Sequence, residues 1–350
     1  SLGLVGSEMC IRDRNQIGYE KPNIIIIIND NGWGITENKT ALKTHLASKT
    51  YDIKDSDPFF ESLGFKYFGP VNGHDINSLI DVLNSTKDLT GPIIIHTKTK
   101  KGNGLSFPDD NICQHHFCFP LDLNTGKPIT EDIGKEENIF YKPLSKFNAA
   151  MVGNKLEDIA KKDPNVALIT PATMGASETL NAFNAIPERA FDVGMAEQHA
   201  LTFAVGLSLG GMKPILSYQS VFFQRAFDQL VHDACINNIP IIIILARSGL
   251  AGLDHSTHHA ILDLSYISCV PNLDIFFPPT HREFNNMLED KTSKWVNKPT
   301  ILMNPYGTLE NVEPSEDEMI EIENTYLDKK NEGILLCTAG FLKSLSLIHI

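Results

Sequence analysis

Short, continuous runs of aliphatic and β-branched residues alternate along this chain with longer stretches of helical spacing. Ile24–Ile28 and Ile239–Ala246 are apolar at almost every position, so they predict strands buried on both faces of a parallel sheet rather than half-wet antiparallel strands. Pro92–Lys98, Val166–Thr170 and Pro214–Tyr218 read the same way, and Phe191-Asp192-Val193 is a short extended piece. Between them the pattern changes period. A turn at Gly69–Asp75 leads into a helix that carries Ile76, Leu79, Ile80 and Leu83 on one face, and Leu144–Ala160 is amphipathic. Ala200–Leu209 is rich in Ala, Gly and Leu, small where helices must approach closely, and Gly210-Gly211 stop it. Phe222-Phe223-Gln224-Arg225 start another helix, which Phe227 to Ile236 continues. Strands and helices in alternation predict an α/β fold with parallel sheets flanked by helices.

Length and charge narrow the picture. A chain of 350 residues implies two to three domains. Its 42% hydrophobic and 21% charged content is that of an ordinary soluble globular protein. A net charge of −13 with no basic block excludes a nucleic-acid binder. Six scattered cysteines without a CxxC pair read as a reduced, cytoplasmic setting. The longest apolar runs are too short to cross a membrane. Residues 1–14 show neither helical nor strand periodicity nor the order of a signal peptide, and with residues 343–350 are expected to be non-native. Asp122–Pro143 and the acidic Glu310–Lys330 read as linkers.

Four stretches carry candidate chemistry. Glu197 stands at a strand-to-helix junction among small residues, where poor solvation should raise its pKa and make it a proton donor. The competing reading is a first-turn carboxylate that meets the helix dipole. Asn29-Asp30-Asn31-Gly32 ends a buried strand, where ligands sit in open α/β sheets, though the same residues make a plain turn. Cys113-Gln114-His115-His116-Phe117-Cys118 invites zinc but lacks a second CxxC or HxxxH partner. Asp254, His255, His258 and His259 offer either a metal site or, with Arg247 at the end of a strand beside a glycine-rich loop, a phosphate site.

The run D-V-x-x-A-E-Q-H-A beginning at Asp192, with F-x-Q-R-A-x-D-Q beginning at Phe222, resembles the transketolase-type thiamine diphosphate enzymes, and among them the 1-deoxy-D-xylulose-5-phosphate synthases. The resemblance spans about Asn15 to Phe341 and implies two thiamine diphosphate-binding-fold domains followed by the first strand of a transketolase C-terminal-like domain. It divides the chain into the C-terminal part of a diphosphate-binding domain at 15–118, a linker at 119–143, and a pyrimidine-binding domain at 144–308. An acidic linker at 309–332 and the start of a third domain at 333–342 complete it.

By resemblance, Glu197 bonds the cofactor's aminopyrimidine ring and Phe222 stacks on it, while Asn31 and the Trp33 carbonyl hold Mg²⁺. Lys101 belongs to the T-K-K-G-x-G loop and faces the cofactor. Alignment through Asp122 and Gly126 assigns the donor-side catalytic histidine to His116. Arg225, Arg247, Asp254 and His258 meet the acceptor sugar phosphate, with His258 also catalytic. The implied reaction joins pyruvate to glyceraldehyde 3-phosphate with loss of carbon dioxide, a step toward isoprenoid precursors, in a homodimer.

Four departures stand against it. The family's upstream G-D-G run, which supplies one metal ligand, has no counterpart here, so a non-catalytic chain is the alternative from another class. Gln219 stands where a tyrosine is usual, and Asn72 where an Asp is. Tyr306 replaces a phosphate-binding arginine, a loss of roughly 1.5–3 kcal/mol that keeps a different acceptor open.

Overall fold

A computed structural model describes residues 7–34, 40–50, 56–104, 146–175, 177, 179–249, 256–278 and 281–305. The chain forms two compact units, one of Ser1–Ile129 with Val193–Ala196, the other of Thr130–Asp192 with Glu197–Ile350. Cys113–Cys118, Asp254, Tyr306, both expected linkers and the expected third-domain strand lie outside the described residues. Among those described, no helix is long and apolar enough to cross a membrane.

In the first unit a helix, α1 (Ser7–Glu20), precedes β1 (Ile24–Asp30), α2 (Ala41–Ala47), α3 (Pro58–Ser62), β2 (Lys66–Asn72), α4 (Ile76–Thr86) and β3 (Pro92–Lys98). The three strands are parallel in the order β1-β3-β2. α1 runs straight through the expected boundary at residue 14. Glu8, Met9, Ile11, Arg12 and Arg14 are good or tolerable helix formers, and propensity does there what periodicity did not announce.

Burial on both faces holds for β3, at the sheet centre, where Ile93, Ile94 and Ile95 are all buried. It fails for β1. That strand lies at the edge, only Ile26 and Ile28 pack on the cluster of Phe60, Tyr67 and Ile94, and Ile27 is 57% exposed. An all-isoleucine run cannot reveal which of its faces has a neighbour.

The expected turn at Gly69–Asp75 also changes. Gly69 to Asn72 belong to β2, which shifts register against β3 between Phe68 and Val71. Gly69 sits at φ 130°, and a Cβ there would lie 2.5 Å from the His96 carbonyl oxygen, so the close approach requires glycine. α4 is capped by Asp75, whose Oδ1 accepts from the Asn77 amide at 3.0 Å. Its inner side is Leu79 and Val82, while Ile76, Ile80 and Leu83 are exposed, so the expected apolar face is largely turned outward.

The second unit is the larger. α5 (Lys146–Lys162), β4 (Val166–Thr170), α6 (Leu180–Ala185), β5 (Ala190–Asp192), α7 (Glu197–Leu209) and β6 (Lys213–Gln219) follow in order. Next come α8 (Ser220–Phe223), a 3₁₀ turn at Gln224–Ala226, α9 (Phe227–Gln229) and a π-helical segment at Leu230–Cys235. β7 (Ile242–Ser248), α10 (Asp263–Ile267), β8 (Asp274–Phe276), α11 (His281–Ser293) and β9 (Thr300–Pro305) complete it. All six strands are parallel, in the order β5-β4-β6-β7-β9-β8. The expected continuous helix at Phe227–Ile236 is therefore mostly π-wound, its Ile236 amide bonding back to the Val231 carbonyl at 3.0 Å.

Here the continuous apolar runs keep their promise. One face of the sheet buries Leu168, Ile215, Ile242, Ile244 and Leu302 against Leu156 of α5, Phe183 of α6 and Phe284 of α11. The alternate residues Ile169, Leu216, Ile243 and Ile301 are equally buried, with α7 and α8 packed on β6 and β7. Ala200 and Ala204 are buried in α7, which packs on β6 and on the π segment.

The contrast within the first unit is measurable. Ile94→Ala in β3 should cost about 2–5 kcal/mol, and Ile27→Ala in β1 less than about 0.5 kcal/mol, in urea unfolding followed by circular dichroism. Equal costs would mean that β1 is covered in solution.

Candidate active site

At the carboxyl end of β1 the Asn-Asp-Asn-Gly run closes on itself. The Asp30 side chain accepts from the Gly32 amide at 3.1 Å, and Asn31 Oδ1 accepts from the Trp33 amide at 2.9 Å. Such an Asx turn is what these residues favour, and Gly32 at φ 73° supplies the left-handed position it needs. The loop after β3 joins it: the Thr99 amide donates to the Asp30 carbonyl at 2.9 Å, and Lys101 Nζ donates to the Gly34 carbonyl at 2.8 Å. Asn31, Trp33 and Lys101, three residues singled out from sequence, thus share one pair of loops. An amide oxygen and a backbone carbonyl two residues apart are hard donors that suit Mg²⁺.

Behind this loop lies a buried relay that sequence did not reveal. The Tyr67 hydroxyl meets His96 Nδ1 at 2.7 Å, and His96 Nε2 meets Asp30 Oδ2 at 3.1 Å. A carboxylate can only accept, so Nε2 carries the proton toward Asp30 and Tyr67 donates to Nδ1. The hydrogen bond from His96 holds the Asp30 carboxyl below its usual range, against partial desolvation. Burial drives the Tyr67 phenol well upward, so it stays a donor. A lone histidine inside the isoleucine run of β3 was the available signal.

In the second unit, Glu197 is the first residue of α7 and its side chain is 4% exposed. The Tyr218 hydroxyl, fully buried on β6, donates to the Glu197 carbonyl at 3.0 Å and pins the start of the helix to the sheet. β6 ends at the buried Gln219, and α8 turns the chain back so that Phe222 and Arg225 return to the same place. Arg225 Nη1 donates to Glu197 Oε1 at 2.7 Å. The guanidinium lies over the Phe222 ring at 5.2 Å, and His258 meets that ring edge-on at 5.5 Å between centroids. Four residues picked from sequence, Glu197, Phe222, Arg225 and His258, are therefore one cluster.

The arrangement is also a test of fit. A planar N–C–N group already bonds the carboxylate while lying over the aromatic ring, so a flat aminopyrimidine, with a ring nitrogen toward the carboxyl and its face on the ring, suits these two side chains. Arg247 sits at the end of β7 with φ 60°. His116 and Asp254 lie outside the described residues.

Beneath the cluster is a second unannounced network. Asp263, the first residue of α10, accepts from Ser220 Oγ, and Ser248 Oγ lies 3.1 Å from Ser220 Oγ. All three are buried, and desolvation pushes the Asp263 carboxyl from 3.8 up to about 6, against the Ser220 hydrogen bond. It ties the ends of β6 and β7 to α10.

Two tests follow from these contacts. Tyr218→Phe should lower stability by about 0.5–1.5 kcal/mol in denaturant unfolding, the net worth of one hydrogen bond. For Asp263 the folded carboxyl binds its proton more tightly than the unfolded one. Its contribution is therefore full below about pH 4 and is lost as pH rises through about 6. Asp263→Asn should gain on the order of 2 kcal/mol on the wild type between pH 4 and pH 7. A flat difference across that window would place the carboxyl in contact with water.

Comparison with known proteins finds two families along the chain. Residues 148–311 match the family described as transketolase, pyrimidine binding domain, and residues 49–99 match that described as 1-deoxy-D-xylulose-5-phosphate synthase. The chain is 32% identical to the 1-deoxy-D-xylulose-5-phosphate synthase of Glaesserella parasuis serovar 5, over 97% of this chain and 59% of that protein. It is 35% identical to the synthase of Alkaliphilus oremlandii, over 87% of this chain and 53% of the relative, and 33% identical to that of Aquifex aeolicus, over 97% and 58%. The chain thus spans little more than half the length of the curated relatives it matches. Among solved structures, one described as a split gene transketolase, inactive beta4 tetramer, is similar with 26% identity and a TM-score of 0.41, over 48% of this chain and 54% of that one. The chain thus carries a transketolase pyrimidine-binding domain at 148–311 and a segment of the 1-deoxy-D-xylulose-5-phosphate synthase family at 49–99, and its likeness to the curated synthases runs over most of its length.

Proposed function

We propose that this protein takes part in the thiamine diphosphate-dependent condensation of pyruvate with glyceraldehyde 3-phosphate, giving 1-deoxy-D-xylulose 5-phosphate and carbon dioxide. The observation that carries the reading is the buried Glu197 at the head of α7, with the Phe222 ring and a planar cation gathered on it. When bound, thiamine diphosphate supplies the carbon nucleophile for pyruvate.

Each role belongs to a side chain of this chain. Glu197 accepts from the pyrimidine edge and exchanges a proton there, in a pocket where a carboxylate is poorly solvated. Phe222 provides the flat apolar platform that orients the ring and excludes water from one side. Asn31 and the Trp33 carbonyl would hold Mg²⁺, and Lys101 adds positive charge beside them. His116 handles protons near the donor. His258, next to Phe222, serves the acceptor together with Arg247, Asp254 and Arg225. The family's homodimeric assembly is proposed with the activity.

A second acceptor is favoured by one observation. Gln219 is buried at the end of β6, directly before α8, where the family has a tyrosine. A carboxamide there bonds a neutral hydroxyl or carbonyl as readily as a phosphate.

The test is to supply thiamine diphosphate, Mg²⁺ and pyruvate, with and without glyceraldehyde 3-phosphate, and to follow carbon dioxide and sugar phosphate by mass. Pyruvate turnover that responds to glyceraldehyde 3-phosphate is expected, and Glu197→Gln should reduce it about 10²- to 10⁴-fold. Turnover indifferent to glyceraldehyde 3-phosphate would favour another acceptor, and turnover unaffected by Glu197→Gln would remove the mechanism.

A further inference from the structure

We propose that Arg225 is an internal stand-in for the aminopyrimidine, holding Glu197 and Phe222 in their working positions in the cofactor-free protein and yielding them when the ring arrives. The inference rests on the pyrimidine reading of those two residues, and adds a competitor that belongs to the chain itself.

Three features of the cluster carry it. The guanidinium engages both partners at once, bonding Glu197 Oε1 at 2.7 Å and lying 5.2 Å from the Phe222 ring centre. A guanidinium is a flat group that bonds a carboxylate through one edge and covers an aromatic ring with its face, the two contacts that a flat aminopyrimidine would make here through a ring nitrogen and its own face. An incoming ring that takes Oε1 and the ring face must displace it.

The exposures of the pair are unequal in the direction that such a role requires. Glu197 is 4% exposed on its side chain, and a carboxylate so buried is costly without a partner. Arg225 is 45% exposed, so its head can swing into water without losing solvation. Glu197 cannot leave and Arg225 can.

The chemistry adds a reason for the exchange. A ring nitrogen that is to meet the Glu197 carboxyl needs the oxygen that Arg225 Nη1 already bonds at 2.7 Å. Opening the Arg225 pair is therefore part of loading the site. Held on Phe222 and Glu197 in the meantime, Arg225 keeps the two side chains from collapsing onto each other.

The experiment is calorimetric titration of thiamine diphosphate with Mg²⁺ into the wild type, R225M, R225K, E197Q and the R225M/E197Q double variant. R225M should bind about ten-fold more tightly than wild type, the effect of no longer breaking one charge-assisted hydrogen bond. R225K, which keeps the charge but not the planar fork, should fall between them, and it carries the same test if R225M does not fold. In the Glu197→Gln background the gain should vanish, since the competitor has lost its partner. Equal or weaker binding by R225M or R225K, with the wild type binding, overturns the stand-in and leaves the pyrimidine reading intact. No binding by any of the five overturns both.

Discussion

A carboxylate with almost no access to water is the constraint around which the second unit is arranged. Glu197 needs a donor at its oxygens, and its position must be fixed well enough for that donor to be useful. The helix start supplies the favourable dipole, Tyr218 fixes the backbone from the central sheet, and Arg225 supplies the charge. Each comes from a different place in the chain, and each arrives because parallel strands all end on the same side of the sheet. The carboxyl ends of β6 and β7 and the heads of α7 and α8 converge there by topology, which is why this edge collects chemistry in open α/β folds.

The first unit meets a similar need through a hydrogen-bonded relay. Asp30 sits at the end of an edge strand, and the His96–Tyr67 relay reaches it from the centre of the sheet. Burial keeps the tyrosine a donor, the histidine passes the bond along, and the carboxylate is left to shape the Asn31 turn through the Gly32 amide. A loop proposed to present oxygen atoms to a hard cation gains from rigidity, because reorganising carbonyls on binding costs affinity. Gly69, pressed against the His96 carbonyl, is part of the same arrangement.

Asp263 shows the opposite economy. It is buried beside the Ser220 and Ser248 hydroxyls, and desolvation makes it resist ionisation rather than display charge. That makes it a structural tie under the cluster, and explains how α10 is held to the strand ends without competing for Arg225.

Much of this was legible in the residues alone. The continuous apolar runs specified parallel strands, the Gly210-Gly211 pair ended α7 where expected, and the Glu197 and Phe222 motifs marked the cluster before any coordinate. Other features were not. The isoleucines of β1 and β3 are indistinguishable in sequence, yet one strand is central and buried and the other is an edge with Ile27 exposed. The apolar stripe of α4 gave no hint that Ile76 and Ile80 face outward. The partners of Glu197, Asp30 and Asp263 lie 28, 66 and 43 residues away, beyond any local pattern. Periodicity records which side of an element is apolar, and so the sequence determined the elements, the fold class and the reactive residue types. Which neighbour covers each face, and which distant donor meets each buried carboxylate, is decided only when the strands take their order in the sheet. Desolvation and hydrogen bonding act across space, not along the chain.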